Sequence, residues 1–161
     1  MKKLLGRPTS LLIIIAVLVF AMFLQVGSMS TLPGQQVDSV NRALPFMVLL
    51  VGLFFYLVYL WYELLRPYVL GHWLIISAIF VSVHWGIAIS YQQKSIEQYR
   101  QQIVDLFESQ FGYIDWDYID SVTTLFLSSH MNHQLYNVNS FLMYMSLSFF
   151  TSIVLVYKLG E

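Results

Sequence analysis

Two histidines, His130 and His133, stand three residues apart, which on a helix places both imidazoles on one face. If the chain before them folds back as a hairpin closing near residues 113 and 114, Glu97 falls opposite His130 and Lys94 opposite His133. Neutral imidazole and carboxylate are ligands for zinc and similar ions, so His130, His133 and Glu97 form the candidate metal set. A Glu97–His130 ion pair is an alternative use of the same residues, with a charge that changes near neutral pH. Two histidines without an assured third ligand otherwise read as solvated side chains, and that is the expectation here. Upstream, Asp115-Trp116-Asp117-Tyr118-Ile119-Asp120 spaces its carboxylates as a hard-cation site might, yet lacks the central glycine and terminal glutamate of an EF-hand loop. The expected roles are structural, with Asp115 as a helix N-cap and Asp117 and Asp120 complementing the helix dipole.

His84 lies within an apolar stretch long enough to cross a bilayer, where an ionisable group is costly and faces the bundle interior or a cavity. Ser77, His84 and Tyr91 are seven apart and share a face, and His84 is expected to hydrogen-bond Tyr144 or Ser148 of a neighbouring helix. A set of four helices with four histidines resembles the membrane b-type cytochromes, which implies haem held between two histidines. That pairing requires histidines at one depth, whereas His72 falls at a membrane edge and His130 and His133 outside the apolar runs. No haem, and no other cofactor, is expected. The order of spans also resembles that of the disulfide-bond oxidases, in topology alone, because their chemistry requires cysteines and this chain has none. With no Gly-rich phosphate loop, Ser/His/Asp arrangement or intramembrane carboxylate pair, catalysis is not expected.

The elements that hold these groups follow from composition. Hydrophobic residues make up 58% of the 161 residues and charged residues 11%, far from the balance of a soluble domain. A spanning helix needs about 20 mostly apolar residues, and four runs qualify: Leu11 to Val26, lengthened by Thr9 and Ser10; Leu44 to Tyr62; Trp73 to Tyr91; and Phe141 to Tyr157. The first competes with a reading as a cleaved signal peptide, and is expected to remain as a span. Ser28 to Arg42, with Pro33, Gly34, Asp38 and Asn41, reads as a polar loop. Pro45 is tolerated in the first turn of the second span, Arg66-Pro67 ends it, and the turn to His72 is short enough to predict a tight hairpin with the third. Along the third span Ala78, Ser82, Gly86 and Ser90 recur every four residues, a small-residue ridge suited to close helix packing. That ridge and the polar face together predict a central place for the third span.

The chain is thus read as a single four-span membrane domain over 1–161, all-α, with 92–139 inserted between the third and fourth spans. Lys2, Lys3, Arg7, Arg66 and Lys158 fall on one side and Arg42, Lys94 and Arg100 on the other. By the positive-inside rule both termini are expected in the cytoplasm, in a bacterial inner membrane, with 92–139 outside. Ile96, Tyr99, Ile103, Leu106 and Phe107 make an amphipathic stripe, and Gly112 suits a helix C′ position. Trp116, Ile119, Val122 and Phe126, then Leu127, Met131, Leu135, Val138 and Leu142, continue as a second stripe into the fourth span. The insertion is therefore expected to be a helical hairpin. An unbroken helix from Trp73 to Phe111 would stand it upright, whereas a break near Tyr91 to Ser95 would lay it on the membrane.

Phe111, Tyr113, Trp116 and Tyr118 then form an aromatic tip, a residue mix enriched at binding hot spots. The functional expectation is a non-catalytic accessory or assembly subunit that contacts other membrane subunits, or itself, within the lipid bilayer. A bacteriocin-immunity-type or sensor protein, and a redox or proton-handling subunit using His84, are the alternatives. Eight Lys and Arg without a large cluster give no footprint for nucleic acid.

Overall fold

A computed structural model of the chain describes residues 2–31, 41–68, 71–123 and 128–159, with side chains from residue 8 onward. Its helices are α1 (Lys2–Ser28), α2 (Leu44–Leu65), α3 (Gly71–Phe111), α4 (Trp116–Val122), α5 (Asn132–Leu135) and α6 (Val138–Leu159). Four of them, α1 from Pro8, α2, α3 and α6, are long and apolar enough to cross a membrane, which makes this an all-helical chain of multi-pass membrane character. Pro33, Gly34 and Asp38 of the polar loop, and Phe126 and Leu127 of the second stripe, lie outside the described residues. So do the side chains of Lys2, Lys3 and Arg7.

The apolar runs became helices at the expected places because a backbone in hydrocarbon must satisfy its own hydrogen bonds. Asn41 starts α2 by accepting the Ala43 amide at its side chain (3.0 Å), and Pro45 sits in the first turn where its missing N–H costs nothing. Leu12, Val19, Met22 and Phe23 of α1 pack with Leu50, Leu57 and Leu60 of α2, and Tyr136, Phe141 and Tyr144 close over them.

The central helix is α6 and not the third span: α6 packs on α1, α2 and α3, while α3 meets the other spans mainly through α6. The short connection after Arg66 does not bring α2 and α3 into the expected tight hairpin, because α6 takes the place beside each of them. The small-residue ridge that allows close approach belongs to α6, where Ser148 and Ser152 are fully buried. On α3 the face turned to the bundle carries Ser77, Val81 and Ala88. The expected ridge points elsewhere: Ser82, Gly86 and Ser90 are exposed, Ala78 is half-buried, and a methyl group added at Gly86 would meet nothing.

We call the end where α1 stops and α6 begins the distal end. There α3 runs unbroken through Tyr91 to Ser95 and on to Phe111, so no separate helix starts at Ser95. Gly112 terminates it at φ +71°, a left-handed conformation that glycine adopts without steric cost. Asp115 then caps α4, accepting the Tyr118 amide at 3.0 Å. Ile119 and Val122 of α4 fold back on Ile103, Val104 and Phe107 of α3, forming a second small core.

The second arm is not one helix entering α6. After α4 the described chain resumes at Ser128 with a 3-10 turn, Ser129–Met131, followed by the single turn of α5 and a fresh N-cap at Asn137, which accepts the Ser140 amide at 3.1 Å. The breakers are serines and asparagines rather than glycine or proline, since their side chains compete for backbone partners.

Candidate interaction surfaces

The aromatic tip divides into packed and exposed members. Tyr118 lies against Phe107, with ring centroids 4.8 Å apart, and so belongs to the α3–α4 core. Phe111, Tyr113 and Trp116 are all more than half exposed at the far end of α3. Among the carboxylates, Asp115 is the cap already described and Asp120 pairs with Arg100 instead of completing a cation site.

His130, His133 and Glu97 do not come together, and no group of three or more metal-ligating residues forms among the described residues. The register of the fold-back is close to expectation: the Ser95 hydroxyl donates to Gln134 Oε1 at 2.7 Å, and Asn139 Nδ2 donates to the Ala88 carbonyl at 3.0 Å. The faces are what differ. Glu97 and His133 are exposed, while His130 is only 1% exposed and turned away from α3 toward the end of α1. Its Nδ1 lies 2.9 Å from the Thr31 carbonyl. A carbonyl only accepts, so the proton is on Nδ1 and Nε2 carries the lone pair. Nε2 is buried and, among the described residues, has no hydrogen-bond partner. Burial lowers the His130 pKa below the ordinary histidine value, against a smaller upward pull from the Thr31 carbonyl.

His130 is one part of a polar clamp that residue spacing alone does not reveal. Ser30 Oγ donates to the His130 carbonyl at 2.9 Å, and the hydroxyls of Thr31 and Ser129 share a short hydrogen bond. Asn132 Nδ2 donates to the Met29 carbonyl at 3.2 Å and also engages Asn41. Gly27 makes room for this contact, since a Cβ there would stand 2.5 Å from the Tyr136 carbonyl oxygen. A second group of amides works toward α3: Gln92 Nε2 donates to the Gln134 carbonyl, and Asn137 Nδ2 donates to the same oxygen at 2.7 Å. The segment 128–139 is therefore a belt across the distal end, tied to α1 and α2 on one side and to α3 on the other. The run of Ser128, Ser129, Asn132, Asn137 and Asn139 was the available sign.

Within the bundle, His84 binds Ser146, not Tyr144 or Ser148. The Ser146 hydroxyl donates its one proton to the Met143 carbonyl at 3.0 Å and receives Trp85 Nε1 and His84 Nδ1, each at 3.1 Å. His84 Nδ1 is thereby assigned as a proton donor. Tyr144 instead donates to the Leu50 carbonyl of α2 at 2.6 Å, and Ser148 to Met145 of its own helix. Tyr144 and Ser148 lie four apart on one face of α6, whereas Ser146 is on the opposite side, facing α3. Ser77 is buried as expected, and Tyr91 is exposed at the mouth of a cleft beside α5.

No family model matches this chain, and comparison with curated proteins and with solved structures returns no similar one.

Proposed function

We propose that this protein is a non-catalytic accessory or assembly subunit of a membrane protein complex. In this reading it sits in a bacterial inner membrane with both termini in the cytoplasm. The distal end, including the α3–α4 fold-back, stands outside as a helical hairpin. The observation that supports it is the exposure of Phe111, Tyr113 and Trp116 at the end of a helix that runs 20 residues beyond Tyr91, roughly 30 Å of added length. Large aromatic side chains held at the tip of a packed α3–α4 unit offer rigid contact area at low entropic cost. The bundle adds lipid-depth surface for neighbouring subunits, since α2 and α3 expose large apolar side chains such as Val48, Val51, Phe55, Ile75, Phe80 and Ile87. Arg66 and Lys158 at the opposite end, with Lys2, Lys3 and Arg7, support the cytoplasmic placement of the termini.

The test is extraction of the intact protein in mild detergent, with identification of co-purifying membrane subunits. A defined partner whose recovery falls about tenfold in a Phe111→Ala, Tyr113→Ala, Trp116→Ala variant, corresponding to hot-spot losses of more than about 1 kcal/mol, supports the reading. A monomer with no companion, or unchanged recovery in the variant, overturns the role of the tip.

A further inference from the structure

An open cleft of about 650 Å³ lies between α3 and the α5–α6 junction, a volume within the usual range of small-ligand sites. Its polarity changes over one helical turn. Ile87 and Leu142 line its lower part, and Tyr91, His133 and Gln134 its upper part, with Gln92 to Lys94 marking where α3 leaves its apolar run. The cleft thus straddles the boundary at which a bilayer passes from acyl chain to headgroup.

The upper residues share a chemical character. Among the described residues neither the Tyr91 hydroxyl nor the His133 ring forms a hydrogen bond with the protein, and Gln134 uses its Oε1 to accept from Ser95 while its amide N–H groups remain uncommitted. No carboxylate is among the residues that line the cleft. Three hydrogen-bond donors above an apolar wall suit an acceptor-rich, anionic head carried on a hydrocarbon body. We propose that this cleft binds the phosphodiester headgroup of a glycerophospholipid, with Tyr91, His133 and Gln134 donating to its oxygens. The acyl chains then run down the Ile87–Leu142 side between α3 and α6. Because α3 packs against the other spans mainly through α6, a lipid seated there also braces the base of the α3 extension.

The experiment uses the full chain, stripped of lipid in a neutral detergent and examined by native mass spectrometry. Phosphatidylethanolamine, dioleoylglycerol and inorganic phosphate are added separately. Retention of phosphatidylethanolamine, with little retention of dioleoylglycerol or phosphate, is the expected result. A Tyr91→Phe, His133→Ala variant should lose retention by about tenfold, the effect of about two hydrogen bonds. Neither side chain holds the fold together, so the variant remains assembled, and a Tyr56→Phe control on another face keeps wild-type retention. Equal retention of dioleoylglycerol, binding of phosphate alone, or an unaltered double variant would each overturn the proposal.

Discussion

Asn41 and Asn132 exchange two hydrogen bonds across the distal end, Nδ2 of each donating to Oδ1 of the other at 2.9 and 3.0 Å, with both residues buried. The pair joins the entry of α2 to α5 across 91 residues of sequence, and Asn132 extends it to the Met29 carbonyl. Buried amides of this kind stabilise only while every donor and acceptor is matched.

Asn132→Ala should therefore destabilise the fold by about 2–6 kcal/mol, since it strands the Asn41 amide and the Met29 carbonyl at about 1–3 kcal/mol each. Thermal or denaturant unfolding in detergent measures this. A double-mutant cycle with Asn41→Ala should show the two losses to be strongly non-additive; simple additivity would mean the pair is not coupled.

Two glycines make opposite forecasts. Gly27→Ala drives a methyl group into the Tyr136 backbone carbonyl, and the overpacking should cost about 1–3 kcal/mol even after alanine's better helix propensity is counted. Gly86→Ala enters open space on an exposed face and should be neutral or stabilising by about 0.5–1 kcal/mol. A stable Gly27→Ala variant would argue against the close approach of α1 to the belt.

His130 predicts a pH dependence whose sign follows from burial. Its folded pKa is lowered below the ordinary value near 6.5, so in mildly acidic solution the unfolded chain takes up a proton that the folded chain refuses. The associated stability is present above about pH 6.5 and is lost as the pH falls through that value toward the lower folded pKa. Unfolding midpoints measured between pH 7.5 and pH 5, about one unit or more either side of that reference, should fall for the wild type and fall less for His130→Gln. The same slope in both would assign the acid sensitivity elsewhere.

The α3–α4 core should depend on packing far more than on charge. Ile119 is fully buried, and Ile119→Ala is expected to cost about 2–5 kcal/mol locally, releasing α4 as faster hydrogen exchange and proteolysis over 112–123. Removing the exposed Arg100–Asp120 pair should cost less than about 1 kcal/mol. If the charge change released α4 as readily as Ile119→Ala, packing would not be what holds it.

What was legible in the sequence is what local chemistry decides. The four apolar runs marked the spanning helices because length and hydropathy suffice where the backbone must bond to itself. Gly112 and Asp115 marked the end of α3 and the start of α4, because a left-handed turn and an N-cap each depend on one side chain and its immediate neighbours. Helical spacing also placed Ser77 and His84 on the face of α3 that meets the bundle. It did not say which residue of α6 they would meet, or that α6 would be central. Periodicity shows which side chains share a face, but the partner of a face is chosen by the packing of the whole bundle. For the same reason the spacing of His130 and His133, three apart, predicts that they face one way. The belt turns between them, with His130 drawn into the clamp by Thr31, 99 residues away, and His133 left at the rim of the cleft. Serine and asparagine cap, break or continue a helix according to which backbone groups come within reach. Met29, Thr31 and Asn41 lie within reach of the belt only through the packing of α1, α2 and α6.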